Sequence, residues 1–238
     1  MTAHARLGLR GYVDAMPDSR ADVVDADLAS YIAAHSTPPD DIQHRLMAAT
    51  EHRTGTAARM QIGGDQGSMF EIVTRAMGVT SAIEIGTFTG YSALSIARGL
   101  APGGRLICCD VSEEWTAIAR EHWALAGVSD RIDLRIGPAL DTLAALPSDQ
   151  MFELAFIDAD KTNYTHYLHA LLPRMTTNGI IFVDNTLWSR AVLDTSATER
   201  DTLALQAFNR EVAADSRVRC VIIPIGDGVT MIQRAHLT

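Results

Sequence analysis

The sequence contains a single lysine, Lys161, among its 20 lysine and arginine residues, and the other nineteen are arginine. An arginine side chain stays protonated in proteins, whereas its surroundings can tune a lysine amine to release or accept a proton. Lys161 closes the segment Asp158-Ala159-Asp160-Lys161, which follows a hydrophobic run. The one lysine therefore lies beside two carboxylates, where we expect proton chemistry.

Long hydrophobic runs and a disulfide framework are also missing. No apolar run approaches the ~18 residues that a membrane-spanning helix needs. The three cysteines, two of them adjacent at Cys108 and Cys109, favour a reducing compartment. The segment from Met1 to Arg20 lacks the apolar core of a signal peptide. We therefore expect a cytoplasmic protein with no membrane partner.

Positive charge is scarce relative to negative charge. The 29 acidic residues outnumber the 20 lysine and arginine residues and give a formal net charge of −9. A protein that binds a phosphate backbone usually presents a basic face, so this balance counts against nucleic acid as a partner. The 238 residues are enough for one ordinary α/β domain, and we expect a single domain over residues 1–238.

From about residue 81 short apolar runs alternate with helical patterns, which predicts a doubly wound, Rossmann-like α/β sheet with helices on both faces. The sheet should be mostly parallel and close with a C-terminal antiparallel hairpin. The predicted strands are Ala82–Ile85, Arg105–Asp110, Ile132–Ile136, Leu154–Asp158, Gly179–Asp184, Val218–Ile225 and Gly228–Gln233. The predicted helices between them are Tyr91–Leu100, Glu113–Ala126, Leu140–Leu146, Tyr164–Met175 and Thr198–Ala214.

The chain before residue 81 reads as a helical preface without a strand. Three helices are predicted there, over Asp25–His35, Asp40–Arg53 and Gly67–Met77, with Asp40 as a candidate cap of the second. We expect residues 1–66 to form either a lid over the sheet edge or an oligomer interface. Residues 67–238 should form the cofactor-binding core.

Ligands of open α/β sheets bind beyond the carboxyl ends of the strands. After the first predicted strand, Gly86 and Gly90 allow the backbone to approach a ligand closely. Phe88 and Tyr91 occupy positions at which a dinucleotide fingerprint prefers glycine or a small residue. This turn is therefore poorly suited to a pyrophosphate.

Two acidic residues near this turn predict the ligand. Asp110 ends the second predicted strand and can accept hydrogen bonds from ribose hydroxyls. Asp110 and Glu84 also add negative charge, which suits a sulfonium and an ammonium group and repels phosphates. S-adenosylmethionine carries adenosine and an amino-acid tail without phosphate, and we expect it as the cofactor.

A second cluster follows the fourth and fifth predicted strands. Asp158 and Asp184 end neighbouring strands, and Asn185 adds an amide oxygen beside them. Carboxylate and carbonyl oxygens are hard ligands that suit Mg²⁺ or Ca²⁺ better than Zn²⁺ or Cu²⁺. The sequence therefore predicts a divalent metal site, with coordination positions left for water and a chelating substrate.

Together these motifs resemble those of the metal-dependent O-methyltransferases of the caffeoyl-CoA and catechol O-methyltransferase type. The resemblance extends from about residue 25 to the C-terminus. It rests on Glu84-Ile85-Gly86-Thr87-Phe88-Thr89-Gly90-Tyr91-Ser92, Asp158-Ala159-Asp160-Lys161, Asp184-Asn185-Thr186-Leu187-Trp188, Gly137-Pro138-Ala139 and Pro224-Ile225-Gly226-Asp227-Gly228.

The resemblance implies roles for individual residues. Asp158, Asp184 and Asn185 would hold Mg²⁺ (or Ca²⁺ or Mn²⁺), Lys161 would be the general base, and Trp188 would wall the acceptor ring. The residues around S-adenosylmethionine would be Met60, Glu84, Gly86, Thr87, Ser92, Asp110, Ala139, Asp158, Asp160 and Tyr167. The resemblance also implies a homodimer.

The implied reaction is methylation of one hydroxyl of a small catechol-type acceptor, whose vicinal oxygens would complete the metal shell. Residues 11–44 are rich in aspartate, with Arg20 as their one arginine. This composition disfavours a phosphate-bearing CoA thioester and favours a free catechol.

Other interpretations remain open at this point. A branch of the same family methylates 5-hydroxyuridine in tRNA, and a basic patch of Arg45, Arg53, Arg59 and Arg190 could serve it. An NAD-dependent oxidoreductase and a catalytically silent binding domain are alternatives from other classes.

Overall fold

A seven-stranded sheet organises residues 24–235, the part of the chain that the computed structural model describes. The strands are β1 (Ser81–Ile85), β2 (Arg105–Asp110), β3 (Ile132–Ile136), β4 (Phe152–Ile157), β5 (Met175–Val183), β6 (Val218–Ile223) and β7 (Val229–Arg234). Their order is β3-β2-β1-β4-β5-β7-β6. The strands β1 to β5 are parallel, and β7 is antiparallel to both its neighbours. The predicted fold class is confirmed.

Helices precede the sheet and connect its strands. They are α1 (Ala26–Ala34), α2 (Asp41–Thr54), α3 (Gly64–Ala76), α4 (Tyr91–Gly99), α5 (Glu113–Leu125), α6 (Ala139–Ala145), α7 (Tyr164–Leu171) and α8 (Arg200–Ala214). Short 3₁₀ helices cover Gly55–Met60, Ser129–Arg131, Lys161–Asn163, Leu172–Arg174 and Trp188–Leu193. None of the helices described between residues 24 and 235 has the length and apolar character to cross a membrane.

The helical preface follows its local sequence signals. The Asp40 carboxylate accepts hydrogen bonds from the backbone N–H groups of Ile42 and Gln43, at 3.0 and 2.9 Å. The Gln43 side chain accepts one from the Asp40 N–H in return, which completes a capping box. The predicted cap of the second helix is therefore confirmed.

Several predicted boundaries are wrong, including the start of β5, which lies at Met175 and not at Gly179. The helix predicted over Tyr164–Met175 ends at Leu171, because a 3₁₀ turn containing Pro173 follows and β5 already begins at Met175. The final hairpin has a five-residue loop, residues 224–228, instead of a two-residue turn. The pairing of β6 with β7 ends at Ile223 and Val229, and the N–H of Gly228 donates to the carbonyl of Ile225 at 3.0 Å, with Gly226 and Gly228 at positive φ.

The core lies on both faces of the sheet. The strands β1 and β4 are almost wholly buried, as expected of parallel strands that are covered on both sides. On one face Phe70 of α3 packs with its ring centroid 4.6 Å from that of Phe156 and 5.3 Å from that of Phe182. The preface helix α3 is thereby held against the centre of the sheet.

Candidate active site

The strand ends of β1, β4 and β5 are held side by side by backbone hydrogen bonds. The N–H of Asp158 donates to the carbonyl of Ile85 at 2.8 Å, and the N–H of Asp184 donates to that of Ile157 at 2.9 Å. Each aspartate is thus the first residue beyond its strand. The predicted convergence of the two carboxylates at one sheet edge follows from this pairing.

The turn after β1 is packed tightly against this edge. Gly86 has φ of +88°, and a β-carbon there would collide with the backbone carbonyl of Asp158. Gly90 has φ of +84°, and a β-carbon there would lie 2.8 Å from the Trp123 indole. Both glycines are required by space and by backbone conformation.

Asp110 has a structural role that the sequence did not reveal. Its Oδ2 accepts hydrogen bonds from the backbone N–H groups of Thr87 and Phe88, at 2.9 and 2.7 Å. Its Oδ1 accepts one from the N–H of Ser112 at 2.7 Å. The carboxylate therefore clamps the turn after β1 to the end of β2, and Phe88 within that turn has positive φ.

Glu84 is completely buried in β1. Its Oε2 accepts a hydrogen bond from the Cys108 thiol at 3.4 Å, and its Oε1 has no hydrogen-bond partner among residues 24–235. Burial raises the pKa of Glu84 to about 8. A buried, under-satisfied carboxyl beside the glycine turn is suited to a cationic or hydrogen-donating ligand group.

Lys161 lies among the oxygens of the predicted metal ligands. Its Nζ donates to Asp158 Oδ1 at 3.0 Å, to Asn185 Oδ1 at 2.7 Å and to the Tyr164 hydroxyl at 2.7 Å. The Tyr164 hydroxyl in turn donates to the backbone carbonyl of Asp184 at 3.1 Å. The lysine side chain is only 9% exposed, so its ammonium is held by these contacts.

Asp184 is buried beside this cluster. Its Oδ1 accepts a hydrogen bond from the N–H of Asn185 at 2.7 Å, and its Oδ2 accepts one from the Gln66 amide at 2.9 Å. Burial, followed by the nearby Asp158 carboxylate, raises the pKa of Asp184 well above its ordinary value. The cluster therefore has an excess of buried negative charge that a further cation would neutralise.

The donor set of this cluster is small. No group of three or more His, Cys, Asp or Glu side chains within residues 24–235 is arranged to hold a metal. The predicted ligands are two carboxylates and one amide oxygen, and the Lys161 ammonium contacts two of the three side chains. These hard oxygens fit a divalent cation such as Mg²⁺ in chemical type.

Ser92, Ala139 and Tyr167, three of the remaining predicted cofactor residues, lie on the helices that follow β1, β3 and β4. The Tyr167 hydroxyl donates to Asp160 Oδ1 at 2.6 Å, and burial, followed by Asp160, raises the pKa of Tyr167. Ser92 is buried in the first turn of α4, and Ala139 is buried as the first residue of α6. Met60 differs from these residues, because it is 45% exposed at the end of a 3₁₀ helix.

Trp188 belongs to a segment of unusual backbone. Within residues 185–190, four non-glycine residues have positive φ, namely Asn185, Trp188, Ser189 and Arg190. Such conformations cost roughly 1 kcal/mol or more each and cluster at functional sites. The Trp188 ring lies 5.6 Å from Lys161 Nζ, which brings the predicted acceptor wall next to the predicted base.

Sequence reasoning missed three residues of this site. Tyr164 follows Lys161 by three residues, and a hydroxyl at that spacing could have indicated a contact with the lysine. Asp227 accepts a hydrogen bond from the N–H of Ser189 at 2.7 Å and so holds the strained segment. Gln66 contacts Asp184 across 118 residues of sequence, and no local pattern could have indicated that contact.

One of the four arginines considered as a tRNA-binding patch forms an ion pair within the protein. Arg45, Arg53, Arg59 and Arg190 are all exposed. Arg53 is paired with Glu121 at 2.8 Å, so one of the four charges is neutralised.

Comparisons with known proteins define the class. The model of the O-methyltransferase family matches residues 33–235. "Probable caffeoyl-CoA O-methyltransferase 2" of Dictyostelium discoideum is 36% identical over 213 residues, which are 88% of this chain and 92% of that protein. Caffeoyl-CoA O-methyltransferase 1 of Zea mays is 33% identical over 221 residues, covering 87% of this chain and 84% of that protein.

A solved structure agrees with these sequence relatives. The O-methyltransferase from Bacillus cereus, in complex with SAH, matches with a TM-score of 0.80 and 27% identity over 88% of this chain and 97% of that chain. The chain therefore belongs to the O-methyltransferase family and is a methyltransferase enzyme. This membership excludes the NAD-dependent oxidoreductase and the silent binding domain.

The raised pKa of Glu84 predicts a specific pH dependence of stability. Between the ordinary carboxyl pKa of 4.5 and about 8, the folded state keeps the Glu84 proton and the unfolded state releases it. Stability should therefore fall as pH rises through this window, by about 1.4 kcal/mol per pH unit from this group. Glu84→Gln, a neutral isostere, should remove this loss and be more stable than the wild type at pH 8.

The measurement is urea unfolding of the cofactor-free protein between pH 5 and 8. Glu114→Gln, which alters an exposed carboxyl on α5, is the matched control. Parallel pH profiles for Glu84→Gln and the wild type would contradict the assignment.

Proposed function

We propose that this enzyme transfers a methyl group from S-adenosylmethionine to one hydroxyl of a small catechol-type acceptor, with a divalent metal ion. The observation that carries the proposal is the cluster of Lys161 with Asp158 and Asn185, beside Asp184, at the carboxyl edge of the sheet. A base and hard oxygen ligands within hydrogen-bond reach are what activation of a phenolic hydroxyl requires.

The cofactor assignment has two supports. A related structure from Bacillus cereus was solved with SAH, the product of this methyl donor. Among residues 24–235 the Glu84 Oε1 has no hydrogen-bond partner, and it would accept a hydrogen bond from the ammonium of the amino-acid tail. The proposed cofactor residues are those predicted from the sequence, Met60, Glu84, Gly86, Thr87, Ser92, Asp110, Ala139, Asp158, Asp160 and Tyr167.

Asp158, Asp184 and Asn185 would hold the metal, which we propose to be Mg²⁺, with Ca²⁺ or Mn²⁺ as substitutes. Two observations support the fit. The oxygens of Asp158 and Asn185 already converge on one cation, the Lys161 ammonium. The second observation is that the side chain of Asp184 is buried. A bound divalent cation lowers the pKa of a coordinated hydroxyl and orients the acceptor.

Lys161 would take the acceptor proton on Nζ. S-adenosylmethionine would supply the methyl group to the acceptor oxygen, and the electron pair of the broken carbon–sulfur bond would stay on sulfur. Proton, methyl group and charge are thereby balanced, and SAH and the methyl ether are the products.

The acceptor would lie against Trp188, whose ring neighbours Lys161. An aromatic wall suits a planar ring with a polar edge. The aspartate-rich residues 11–22 lie outside the described residues, but their charge, with that of Asp40 and Asp41, favours a free catechol over a CoA thioester.

We also propose that the chain forms a homodimer, with residues 1–66 as its lid or interface segment and residues 67–238 as its core. Exposed apolar side chains support this, namely Leu28 and Tyr31 on α1, Ile72 on α3, and Val221 and Ile222 on the edge strand β6. A cavity of about 640 Å³ lies between α1, α3 and the loop 224–228. An exposed, apolar edge strand is a template for pairing.

Light scattering of the purified protein should give a particle mass of twice the chain mass of 25.8 kDa. Burial of the apolar side chains on α1, α3 and β6 is the physical reason. A particle of one chain mass at micromolar concentration would refute the dimer.

Methyl transfer from labelled S-adenosylmethionine to caffeic acid and simple catechols should require Mg²⁺ and stop on addition of EDTA. Asp184→Ala should reduce turnover at least 100-fold and leave cofactor affinity largely intact, because a metal ligand is lost. Asp149→Ala, which alters an exposed carboxylate before β4, is the control.

Undiminished turnover after chelation would refute the metal proposal. Methylation of hydroxyuridine-containing tRNA, together with no reaction of catechols, would refute the acceptor and leave the cofactor assignment standing.

Lys161→Arg should retain the positive charge but lose the ability to accept a proton. We expect kcat to fall by about 10²–10⁴ in this variant, the usual contribution of a general base. The dissociation constant of S-adenosylmethionine, measured by calorimetry, should change by less than about threefold, because the guanidinium preserves the charge beside Asp158. A fully active Lys161→Arg enzyme would show that this residue does not abstract the proton.

A further inference from the structure

Gln66, the third residue of α3, is a buried polar side chain to which the proposed mechanism gives no role. It is 1% exposed, and its Nε2 donates a hydrogen bond to Asp184 Oδ2 at 2.9 Å. A glutamine buried to this degree usually satisfies its amide through specific partners. Here the partner is a carboxylate of the proposed metal site.

The position of the Gln66 amide is fixed from the other side by the hairpin loop. A β-carbon on Gly226 would come within 2.5 Å of Gln66 Oε1, so the loop backbone lies directly against the amide. Gly226 has φ of +57°, a conformation that glycine adopts without strain. The amide is thereby wedged between the loop 224–228 and Asp184.

The backbone of Gln66 is fixed as well. The next residue, Gly67, lies so close to α4 that a β-carbon there would be 2.7 Å from the Tyr91 ring and 2.9 Å from the Ser95 hydroxyl. The N–H of Gln66 donates to Asp65 Oδ1 at 2.7 Å. The first turn of α3 therefore packs closely against α4, and Gln66 reaches Asp184 from this turn.

We infer that Gln66 is a positioning residue for Asp184, a role that rests on the proposed metal-dependent function. Asp184 Oδ1 is held by the N–H of Asn185 and Oδ2 by Gln66, so the two bonds together fix the plane of the carboxylate. Groups that orient the ligands of a metal commonly change metal affinity by 10–100-fold when they are removed.

The amide of Gln66 suits a position next to Asp184 better than a charged or an apolar side chain would. A glutamine amide donates a hydrogen bond without adding charge, whereas a carboxylate would place a third negative group beside Asp158 and Asp184. An apolar side chain of similar length would leave Asp184 Oδ2 buried without its donor. A neutral donor therefore suits a carboxylate that must stay oriented and available to a cation.

The test is a calorimetric titration of Mn²⁺ into the full-length protein, a readout that does not depend on turnover. Gln66→Met keeps the length and bulk of the side chain and removes the donor. We expect the Mn²⁺ dissociation constant to rise at least tenfold, with the dissociation constant of S-adenosylmethionine unchanged within about twofold. If Gln66 served only in packing, Gln66→Met would change the melting temperature and leave the Mn²⁺ dissociation constant as it is in the wild type.

Two further variants make the result decisive. Gln66→Asn keeps an amide but draws it back from Asp184, so we expect it to weaken Mn²⁺ binding in the same direction even if Gln66→Met folds poorly. Thr74→Val, in the same helix, alters a fully buried hydroxyl that has no hydrogen-bond partner within residues 24–235, and it should bind Mn²⁺ like the wild type.

Asp184→Asn, titrated in parallel, separates the two hypotheses. If the wild type binds Mn²⁺, Asp184→Asn does not, and the folded Gln66 variants bind like the wild type, the positioning role is wrong and the metal site stands. If the wild type does not bind Mn²⁺, or Asp184→Asn binds equally well, the proposed metal site is wrong and the role of Gln66 is wrong with it.

Discussion

The charge balance at the carboxyl edge of the sheet is the constraint on which the site depends. Parallel pairing of β1, β4 and β5 brings Asp158 and Asp184 together in a largely buried place, where unpaired carboxylates would be costly. The Lys161 ammonium offsets part of this charge through hydrogen bonds to Asp158 and Asn185. The same lysine, the only one in the chain, is thus both the counter-ion of the edge and the proposed base.

The surrounding structure keeps this edge in shape. The loop 224–228 contacts the segment after β5: the N–H of Leu187 donates to the Asp227 carbonyl, and the N–H of Thr186 donates to that of Gly228. The Asp227 carboxylate holds Ser189 in its left-handed conformation. The helix α3 places Gln66 against Asp184. The antiparallel hairpin and the helical preface therefore serve the site as supports.

The periodic parts of the fold could be predicted from the sequence, and the irregular parts could not. The strands were predictable because buried parallel strands read as short apolar runs, and Asp40 was recognisable as a helix cap from its local spacing. The end of α7 at Leu171 was not, because a 3₁₀ turn and a strand replace the last helical turn that the pattern suggested. The length of the five-residue hairpin loop was not predictable for a related reason, because the conformations of Gly226 and Gly228 depend on what the loop packs against.

The sequence by itself determined that acidic residues and one lysine follow the sheet's strands, because strand ends in a parallel sheet meet at one edge whatever their separation along the chain. Only the tertiary structure decided how those groups are held. Gln66 and Asp184 are 118 residues apart. Asp110 accepts hydrogen bonds from backbone N–H groups of two segments, the turn after β1 through Oδ2 and the end of β2 through Oδ1. Contacts of this kind depend on distances between elements that are far apart in sequence, and local periodicity contains no information about them.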